Sequence, residues 1–411
     1  MGRDDDRRAG FEVLDDFERF SQVDDVFSRS FWDDTVRDER SDRFYATYRR
    51  PLSEWRTANG FTQRDYALRN ASWQVSDVFT EMYEDQGRRD GFLDPLSMLR
   101  DGPDERLVPD SPEESARQVK RVAELFGADL VGITDHDERW VYTERFSATT
   151  GAAKANRLPG GLTSVIVIGQ SMDAELVQTA PSALSGTATG LGYSRDAAVL
   201  LGVAQYIRNL GYHAVPSMND TALAIPLAIK AGLGEYGRHG MVITPEFGAR
   251  LRFGKIFTDL PLAHDQPRRF GVKEFCEACD RCAEACPASA IPHGGPVPVA
   301  LNRSGLKGVR KWSVDGEACF GYWSKINSDC AICVRICPWT RDYSKPWNRW
   351  WRWLAGTRLR RRLLAVDDHF AGGRRLKPND WWAQVQRPAR LRPIIRRWGR
   401  SWWGSGRGRS G

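Results

Sequence analysis

The sequence predicts an α+β protein in which a body of alternating strands and helices is followed by a compact cysteine-rich unit. Apolar segments with strand and helix periods alternate between residues 111 and 265, and all eight cysteines fall within the 62 residues from Cys276 to Cys337. Of the 411 residues, 41% are hydrophobic and 27% charged, and no apolar run reaches the roughly 18 residues that a membrane-spanning helix needs. The composition argues against an integral membrane protein, a collagen-like chain and a disordered chain.

The charge of the chain is concentrated at its carboxyl-terminal end. Residues 345–411 contain 18 Lys and Arg against 3 Asp and Glu, together with nine of the sixteen Trp, whereas the other 344 residues carry a small excess of acid. Such a mixture of Arg and Trp can contact a membrane surface, an acidic electron donor or nucleic acid, or it can simply pack on the body. We favour packing up to Trp382, followed by a solvated tail.

The elements of the body can be predicted in order. Ser111 and Pro112 open a helix that ends at Gly127, because Ser is a good amino-terminal cap and Gly tolerates the left-handed cap conformation. The segments that follow are expected, in order, to be strand 129–133, strand 164–168, helix 195–210, extended residues 214–215, helix 225–231, the glycine-rich run 232–240 and strand 241–244. Residues 1 to about 110 are polar and rich in aromatic residues, and we expect them to wrap the body.

The cysteines form two runs with the same spacing. Each run ends in C-x2-C-x3-C-P; the first begins with a further C-x2 and the second with C-x10. This is the pattern of a bacterial ferredoxin-like unit with two [4Fe–4S] clusters, in which the Cys before Pro ligates the other cluster. The predicted ligand sets are Cys276, Cys279, Cys282 and Cys337 for the first cluster, and Cys286, Cys319, Cys330 and Cys333 for the second. Disulfides or zinc are the alternatives, and both fit the repeated run with Pro poorly.

Several motifs in the same order as these cysteines resemble the reductive dehalogenase family. The motifs are Phe126-Gly127-Ala128-Asp129, Gly192-Tyr193-Ser194, Pro216-Ser217-Met218-Asn219-Asp220, Ala231-Gly232-Leu233-Gly234-Glu235, Ile243-Thr244-Pro245-Glu246-Phe247-Gly248 and Thr258-Asp259-Leu260-Pro261. The resemblance implies a nitroreductase-like α/β core that binds a corrinoid (cobalamin, base-off, with no protein ligand to cobalt) beside the two clusters. The implied domains are a wrapping segment 1–110, a corrinoid-binding core 111–265, a ferredoxin-like domain 266–345 and a basic, Trp/Arg-rich segment 346–411.

The resemblance also implies the site residues. Tyr193, Asn219 and Arg252 match the family's catalytic Tyr, Asn and Arg, and Trp323 matches an aromatic wall of the substrate pocket. Tyr193 is expected to donate the proton, with the cation of Arg252 favouring the phenolate. A second cobalamin-type string, D-x-H-x-x-G from Asp367 to Gly372, is interpreted as a loop rather than as a source of a cobalt ligand.

The resemblance thus predicts an oxidoreductase that replaces a carbon–halogen bond of a small organohalide by carbon–hydrogen. Epoxyqueuosine reduction in tRNA is the related alternative, and a plain electron carrier is the alternative from another class. Electrons are expected from a separate low-potential carrier of the ferredoxin or flavodoxin type, and nucleic acid is not expected as a partner. The absence of a sorting signal after Met1 predicts a cytoplasmic location, unless an export leader has been trimmed.

Overall fold

The computed structural model describes residues 3–49, 58–85, 102–147, 150–369 and 375–384. Its strands are β1 (Glu12–Val13), β2 (Leu130–Asp135), β3 (Glu144–Phe146), β4 (Ala153–Ala155), β5 (Ser164–Ser171), β6 (Ala214–Ser217), β7 (Glu235–Tyr236), β8 (Val242–Ile243), β9 (Leu251–Thr258) and β10 (Val309–Arg310). The residues of the predicted carboxyl-terminal tail beyond Gln384 lie outside the described residues.

The described helices are numbered in the same way. They are α1 (Arg3–Ala9), α2 (Val26–Trp32), α3 (Glu39–Arg49), α4 (Gln63–Asp85), α5 (Pro112–Phe126), α6 (Ala174–Gln178), α7 (Ala183–Asn209), α8 (Ala224–Lys230), α9 (Val272–Ala278), α10 (Arg281–Glu284), α11 (Gly316–Ile326), α12 (Ile332–Ile336), α13 (Pro346–Ala355), α14 (Arg360–His369) and α15 (Pro378–Gln384). Among the described residues, no helix combines the length and the apolar character that crossing a bilayer requires.

The body is built on a four-stranded antiparallel sheet with the strand order β2-β5-β9-β6. Strand β5 is buried along almost its whole length, because its alternate side chains enter two different cores. Ile166 and Ile168 pack with α5 and α7, whereas Val165 and Val167 pack on the opposite face with α8. The fold is thus a mixture of helices and sheet, as the sequence predicted, and the sheet is antiparallel.

Helix α5 follows the sequence closely. The hydroxyl oxygen of Ser111 accepts a hydrogen bond from the backbone N–H of Glu114, and Gly127 ends the helix at φ 109° in the left-handed region. Val119 and Ala123 are fully buried against the sheet and α7. Local capping signals and a clean apolar stripe are sufficient here to determine the element.

Helix α7 is longer than expected, because it begins at Ala183 rather than at Arg195. The added turns are rich in Ser, Thr and Gly, which are weak helix formers in isolation, so the helical prediction failed there. Ser182 caps the helix by accepting a hydrogen bond from the N–H of Ser185. Close packing against α4 supplies the stabilisation, and a side chain at Gly190 would lie 2.6 Å from the Trp73 ring.

Strand β9 was not predicted, although it occupies the middle of the sheet between β5 and β6. Its sequence carries Arg252 and Lys255, and charged side chains are uncommon in a buried strand. In the structure the Arg252 guanidinium lies over the Tyr193 ring, and Lys255 is fully buried. These charges belong to the site described below, which explains why the strand does not have an ordinary strand composition.

The amino-terminal segment contacts the body through its aromatic residues. Phe11 and Phe17 meet the ring of Trp140 edge-on at 5.6 and 5.5 Å, and Phe27 meets Phe320 on α11 at 5.5 Å. The segment is nevertheless more helical than a wrapping segment suggests, since it includes the long helix α4. That helix lies directly on α7 and brings Trp73 to the site.

The cysteine-rich unit and the chain after it share an aromatic core. Trp339 is completely buried, and its ring centroid lies 5.6 Å from that of Trp351 on α13. Truncating a Trp of this kind to Ala typically costs about 3–5 kcal/mol. Asp367 forms ion pairs with Arg281 and Arg341. The interpretation of the string 367–372 as a loop was wrong for its first three residues, which belong to α14, and its other residues lie outside the described residues.

Candidate active site

Tyr193, Asn219 and Arg252 come together at one place on the sheet. The Nδ2 of Asn219 donates a hydrogen bond to the phenol oxygen of Tyr193, and the Arg252 guanidinium lies over the Tyr193 ring, 4.0 Å from its centroid. Tyr193 is only 6% exposed, whereas Asn219 is exposed. The phenol is therefore buried, while the residue whose amide holds it is exposed.

Three elements that are distant in sequence deliver these side chains. Tyr193 lies in the middle of α7, Asn219 in the loop after β6, and Arg252 at the start of β9. Gly192 makes the close approach possible, because a Cβ there would lie 2.7 Å from the Cγ of Arg252. The residue before Tyr193 must therefore lack a side chain if Arg252 is to lie over the Tyr193 ring.

Burial dominates the electrostatics of the phenol. Burial raises the pKa of Tyr193 above its ordinary value of 10.0, while Arg252 and the hydrogen bond from Asn219 oppose that rise. Arg252 favours the phenolate, as expected, but burial has the larger effect and the net shift of the pKa is upward. A protonated phenol near neutral pH is the state that a proton donor needs.

Buried polar groups that the sequence analysis missed surround Arg252. Gln170 lies directly opposite Arg252 in the β5–β9 pairing, and within the described chain neither its amide nitrogen nor its amide oxygen has a hydrogen-bond partner. Burial raises the pKa of Asp196 to about 7, against the lowering effect of Arg252 and Lys255, and Asp129 raises it further. The sequence signal for these groups is a polar residue within a segment that is otherwise apolar, namely Gln170 in β5 and Asp196 in α7.

The pH dependence of stability should report on Asp196. Between its ordinary pKa of 3.8 and the folded value of about 7, the folded chain binds more protons than the unfolded chain. The free energy of unfolding therefore falls as the pH rises from 4 to 7. We expect Asp196→Asn to melt several degrees above the wild type at pH 8, with the difference vanishing near pH 4. Asp104→Asn, at an exposed position, is the control and should show no such trend.

Aromatic rings line the approach to Tyr193. Trp73 stacks on Tyr193 at 4.7 Å between ring centroids, and edge contacts continue from Trp73 to Tyr48 and from Tyr48 to Phe44. Trp323, on α11, packs against Phe44 at 6.4 Å. The structure thus connects Trp323 to Tyr193 through rings of the amino-terminal helices, and Trp73 is the neighbour that the sequence analysis did not identify.

The eight cysteines are free thiols in two groups. Burial raises the pKa of Cys337 well above its ordinary value, and Cys276 and Cys282 raise it further, which places Cys337 beside the first run. Burial likewise raises the pKa of Cys319 to about 12, with further effects of Cys330 and Cys286. Within the described chain, no three His, Cys, Asp or Glu side chains converge on a single metal ion. A cubane holds its thiolates further apart than a single ion does.

A buried cation lies beside the first cysteine group. Arg238 is buried and donates hydrogen bonds to the carbonyl oxygens of Cys276 and Cys279, at 3.2 and 3.0 Å from its Nε. Other charges of both signs act on the cysteines of each group. A cation stabilises a reduced, more negative cluster, so Arg238 favours reduction of the first cluster.

Substitution of Arg238 should therefore change a potential. We expect Arg238→Gln to lower the midpoint potential of the first cluster by on the order of tens of millivolts, because cluster potentials respond to nearby charge. Arg238→Lys keeps the positive charge and should lower the midpoint potential less. The measurement is a redox titration followed by electron paramagnetic resonance. Equal potentials in the wild type and the Gln variant would contradict the argument.

Comparison with known proteins supports these observations. Residues 151–262 match the family described as reductive dehalogenase subunit, and residues 275–340 match the 4Fe-4S double cluster binding domain. A tetrachloroethene reductive dehalogenase of Desulfitobacterium hafniense is 38% identical over 282 residues, which are 58% of this chain and 50% of that protein. The matched residues belong to the reductive dehalogenase family. The prediction of two [4Fe–4S] clusters is confirmed by the second match.

Other relatives set the limits of the similarity. The tetrachloroethene reductive dehalogenase of Sulfurospirillum multivorans is 33% identical over 311 residues, 68% of this chain and 61% of that protein. The solved catabolic reductive dehalogenase NpRdhA has the same fold, with a TM-score of 0.70 at 23% identity, covering 89% of this chain and 49% of that one. An epoxyqueuosine reductase of Aliivibrio fischeri matches 34% of this chain at 28% identity. The chain spans half the length of the Desulfitobacterium hafniense relative.

Proposed function

We propose that this chain catalyses reductive dehalogenation of a small organohalide. The overall reaction consumes one organohalide, two electrons and one proton, and it yields the carbon–hydrogen product and a halide ion. When bound, the two clusters and a corrinoid would supply single electrons at low potential and a metal centre that reacts with the halogenated carbon. The observation that carries the proposal is the buried Tyr193 phenol, held by Asn219 and covered by Arg252.

The proposed roles follow from this geometry. Burial raises the pKa of Tyr193, so the phenol is protonated and can donate its proton to the substrate carbon. The Arg252 guanidinium, 4.0 Å from the ring centroid, stabilises the phenolate that remains. Asn219 fixes the phenol oxygen by its amide hydrogen bond. Trp73 and Trp323 would limit the size of the substrate and exclude water from the phenol.

The residues present fit the proposed cofactors. The two cysteine groups provide four thiols each, as two cubanes require. Near Tyr193, the amide of Gln170 and the hydroxyl of Thr187 are buried and lack partners within the described chain. A corrinoid carries amide side chains that can pair with such groups, whereas a purely apolar ligand would leave them unsatisfied. We further propose that the core 111–265 is nitroreductase-like and that it holds the corrinoid base-off, with no protein ligand to cobalt.

The decisive experiment is anaerobic production with cobalamin, followed by metal analysis and halide assays. We expect about eight iron atoms and one cobalt atom per chain, and chloride release from tetrachloroethene with a chemical reductant. Tetrachloroethene is the first substrate to test because it is named for the relatives. Aryl halides are the second panel. Cobalt near zero, or loaded protein that releases no halide from either panel but alters epoxyqueuosine in tRNA, would overturn the proposal.

A further inference from the structure

Helix α13 presents three exposed tryptophans on one side. Trp347, Trp350 and Trp353 are 62%, 61% and 66% exposed, and their spacing of three residues places them along one stripe of the helix. The opposite stripe is buried and includes Trp351 and Ala355. We call the outer stripe, Trp347, Trp350 and Trp353, the tryptophan face. Exposed large aromatic side chains in such a group mark an interaction surface.

The chain segment that carries the tryptophan face is strongly basic. Between Asp342 and Asp367, residues 343–366 contain seven Lys and Arg and no Asp or Glu. The exposed cations of this segment are Lys345, Arg349, Arg358, Arg361 and Arg362. A surface of this charge attracts an acidic partner and repels a basic one.

The tryptophan face lies on the outside of an aromatic layer that covers the first cysteine group. On the buried side of α13, the ring of Trp351 lies 5.6 Å from Phe275 and 5.6 Å from Trp339. Phe275 directly precedes Cys276, and Trp339 follows Cys337 by two residues. The second group lies toward the active site instead. Asp329, which directly precedes Cys330, accepts a hydrogen bond from Tyr48, and the ring of Tyr48 contacts the Trp73 ring that stacks on Tyr193.

We propose that the tryptophan face docks a small acidic electron-carrier protein that reduces the first cluster. In each encounter the carrier is oxidised by one electron and the cluster is reduced by one, with no bond or proton transferred. Two encounters supply the two electrons of one dehalogenation, and in this sense the inference rests on the proposed function. The first cluster then receives electrons at the surface and the second passes them toward Tyr193, which agrees with their positions.

Location favours a carrier protein over a lipid surface. Trp and Arg are the residues that dominate the energetics of protein interfaces, and small transient interfaces are typical of electron transfer. A lipid surface would also bind Trp and Arg, but membrane binding does not require a position over a redox centre, whereas electron transfer does. The aromatic layer beneath the face brings a docked carrier close to the first cysteine group.

The test follows cluster reduction rather than dehalogenation. Full-length protein with both clusters is mixed anaerobically with a reduced, acidic plant-type [2Fe–2S] ferredoxin, and bleaching of the clusters is followed by stopped-flow absorbance. We expect the triple variant Trp347→Ala, Trp350→Ala, Trp353→Ala to lower the second-order rate constant at least about tenfold. Added salt should lower the rate constant for reduction of the wild type by ferredoxin. In the double variant Arg349→Gln, Arg358→Gln, salt should lower this rate constant less.

Matched controls separate docking from general damage. Val108→Ala with Leu125→Ala removes exposed apolar side chains elsewhere, 83% and 79% exposed, and should leave the rate unchanged. Reduction of the triple variant by titanium(III) citrate should equal that of the wild type, which shows intact clusters. Because the readout needs no organohalide, failure of the proposed dehalogenation would not affect it.

An unchanged rate with ferredoxin in the triple variant would overturn the inference. If the tryptophans were then required for sedimentation with vesicles containing anionic phospholipid, the face would be a membrane contact. If the triple variant instead formed fewer dimers than the wild type, the face would be a contact between copies of the chain.

Discussion

Replacing Tyr193 by Phe should abolish most halide release while leaving the protein loaded with its cofactors. The substitution removes the phenol proton and keeps the ring that stacks between Trp73 and Arg252. Because a positioned general acid typically contributes about 10²–10⁴-fold, we expect halide release to fall by that factor. The measurement is the initial rate of chloride release with titanium(III) citrate as the reductant, together with iron and cobalt content.

Tyr142 provides the matched control for this prediction. Its buried phenol donates a hydrogen bond to the backbone oxygen of Asn219 at 3.3 Å, so it touches the same loop without facing Arg252. Tyr142→Phe should keep the rate within about threefold, since it loses one hydrogen bond worth about 1 kcal/mol or less. If Tyr193→Phe retained more than a third of the wild-type rate, the phenol would not be the proton donor.

Pairs of cysteine substitutions should separate the crossed ligand sets from a linear arrangement. In the crossed arrangement, Cys276→Ala with Cys337→Ala removes ligands from one cluster only, and about four of about eight iron atoms should remain. Cys276→Ala with Cys286→Ala removes one ligand from each cluster and should lose nearly all the iron. The structure motivates this choice, because Cys337 acts electrostatically on the first run and Cys286 on Cys319.

A linear arrangement predicts the reverse iron contents, so the two double variants decide the question together. Iron is counted in the monodisperse fraction after gel filtration, which excludes misfolded chain from the comparison. The pair Cys286→Ala with Cys319→Ala is a further control and should behave like the first pair. The crossed sets are contradicted if Cys276→Ala with Cys337→Ala loses nearly all the iron while Cys276→Ala with Cys286→Ala keeps about half.

Much of the fold could be read from local signals. The cap at Ser111, the stop at Gly127 and the buried run of β5 depend on neighbouring residues only, so the sequence predicted them closely. The start of α7 and the whole of β9 could not be read in this way. Their unusual residues are stabilised by contacts with distant elements, and local propensity carries no information about such contacts.

The active site shows the same division. The resemblance supplied Tyr193, Asn219 and Arg252, but the sequence could not show that Gly192 allows the stack with Arg252 or that Trp73 covers Tyr193 from a distant helix. It predicted that Arg252 lowers the pKa of the phenol, as it does, but it could not show that burial raises that pKa by more. Desolvation is a property of the whole packed core, and no single motif encodes it.

By itself the sequence determined the chemistry that this protein can carry: eight thiols at ferredoxin spacing, a phenol, an amide and a guanidinium. Spacing suffices for the cluster pattern, because the ligands of each run lie within a few residues of one another. Only the tertiary structure decided which surface lies over which cysteine group and which buried polar groups face Arg252. Those relations join residues far apart in the chain, and they arise from packing of helices on the sheet, which is set by shape and burial rather than by order along the sequence.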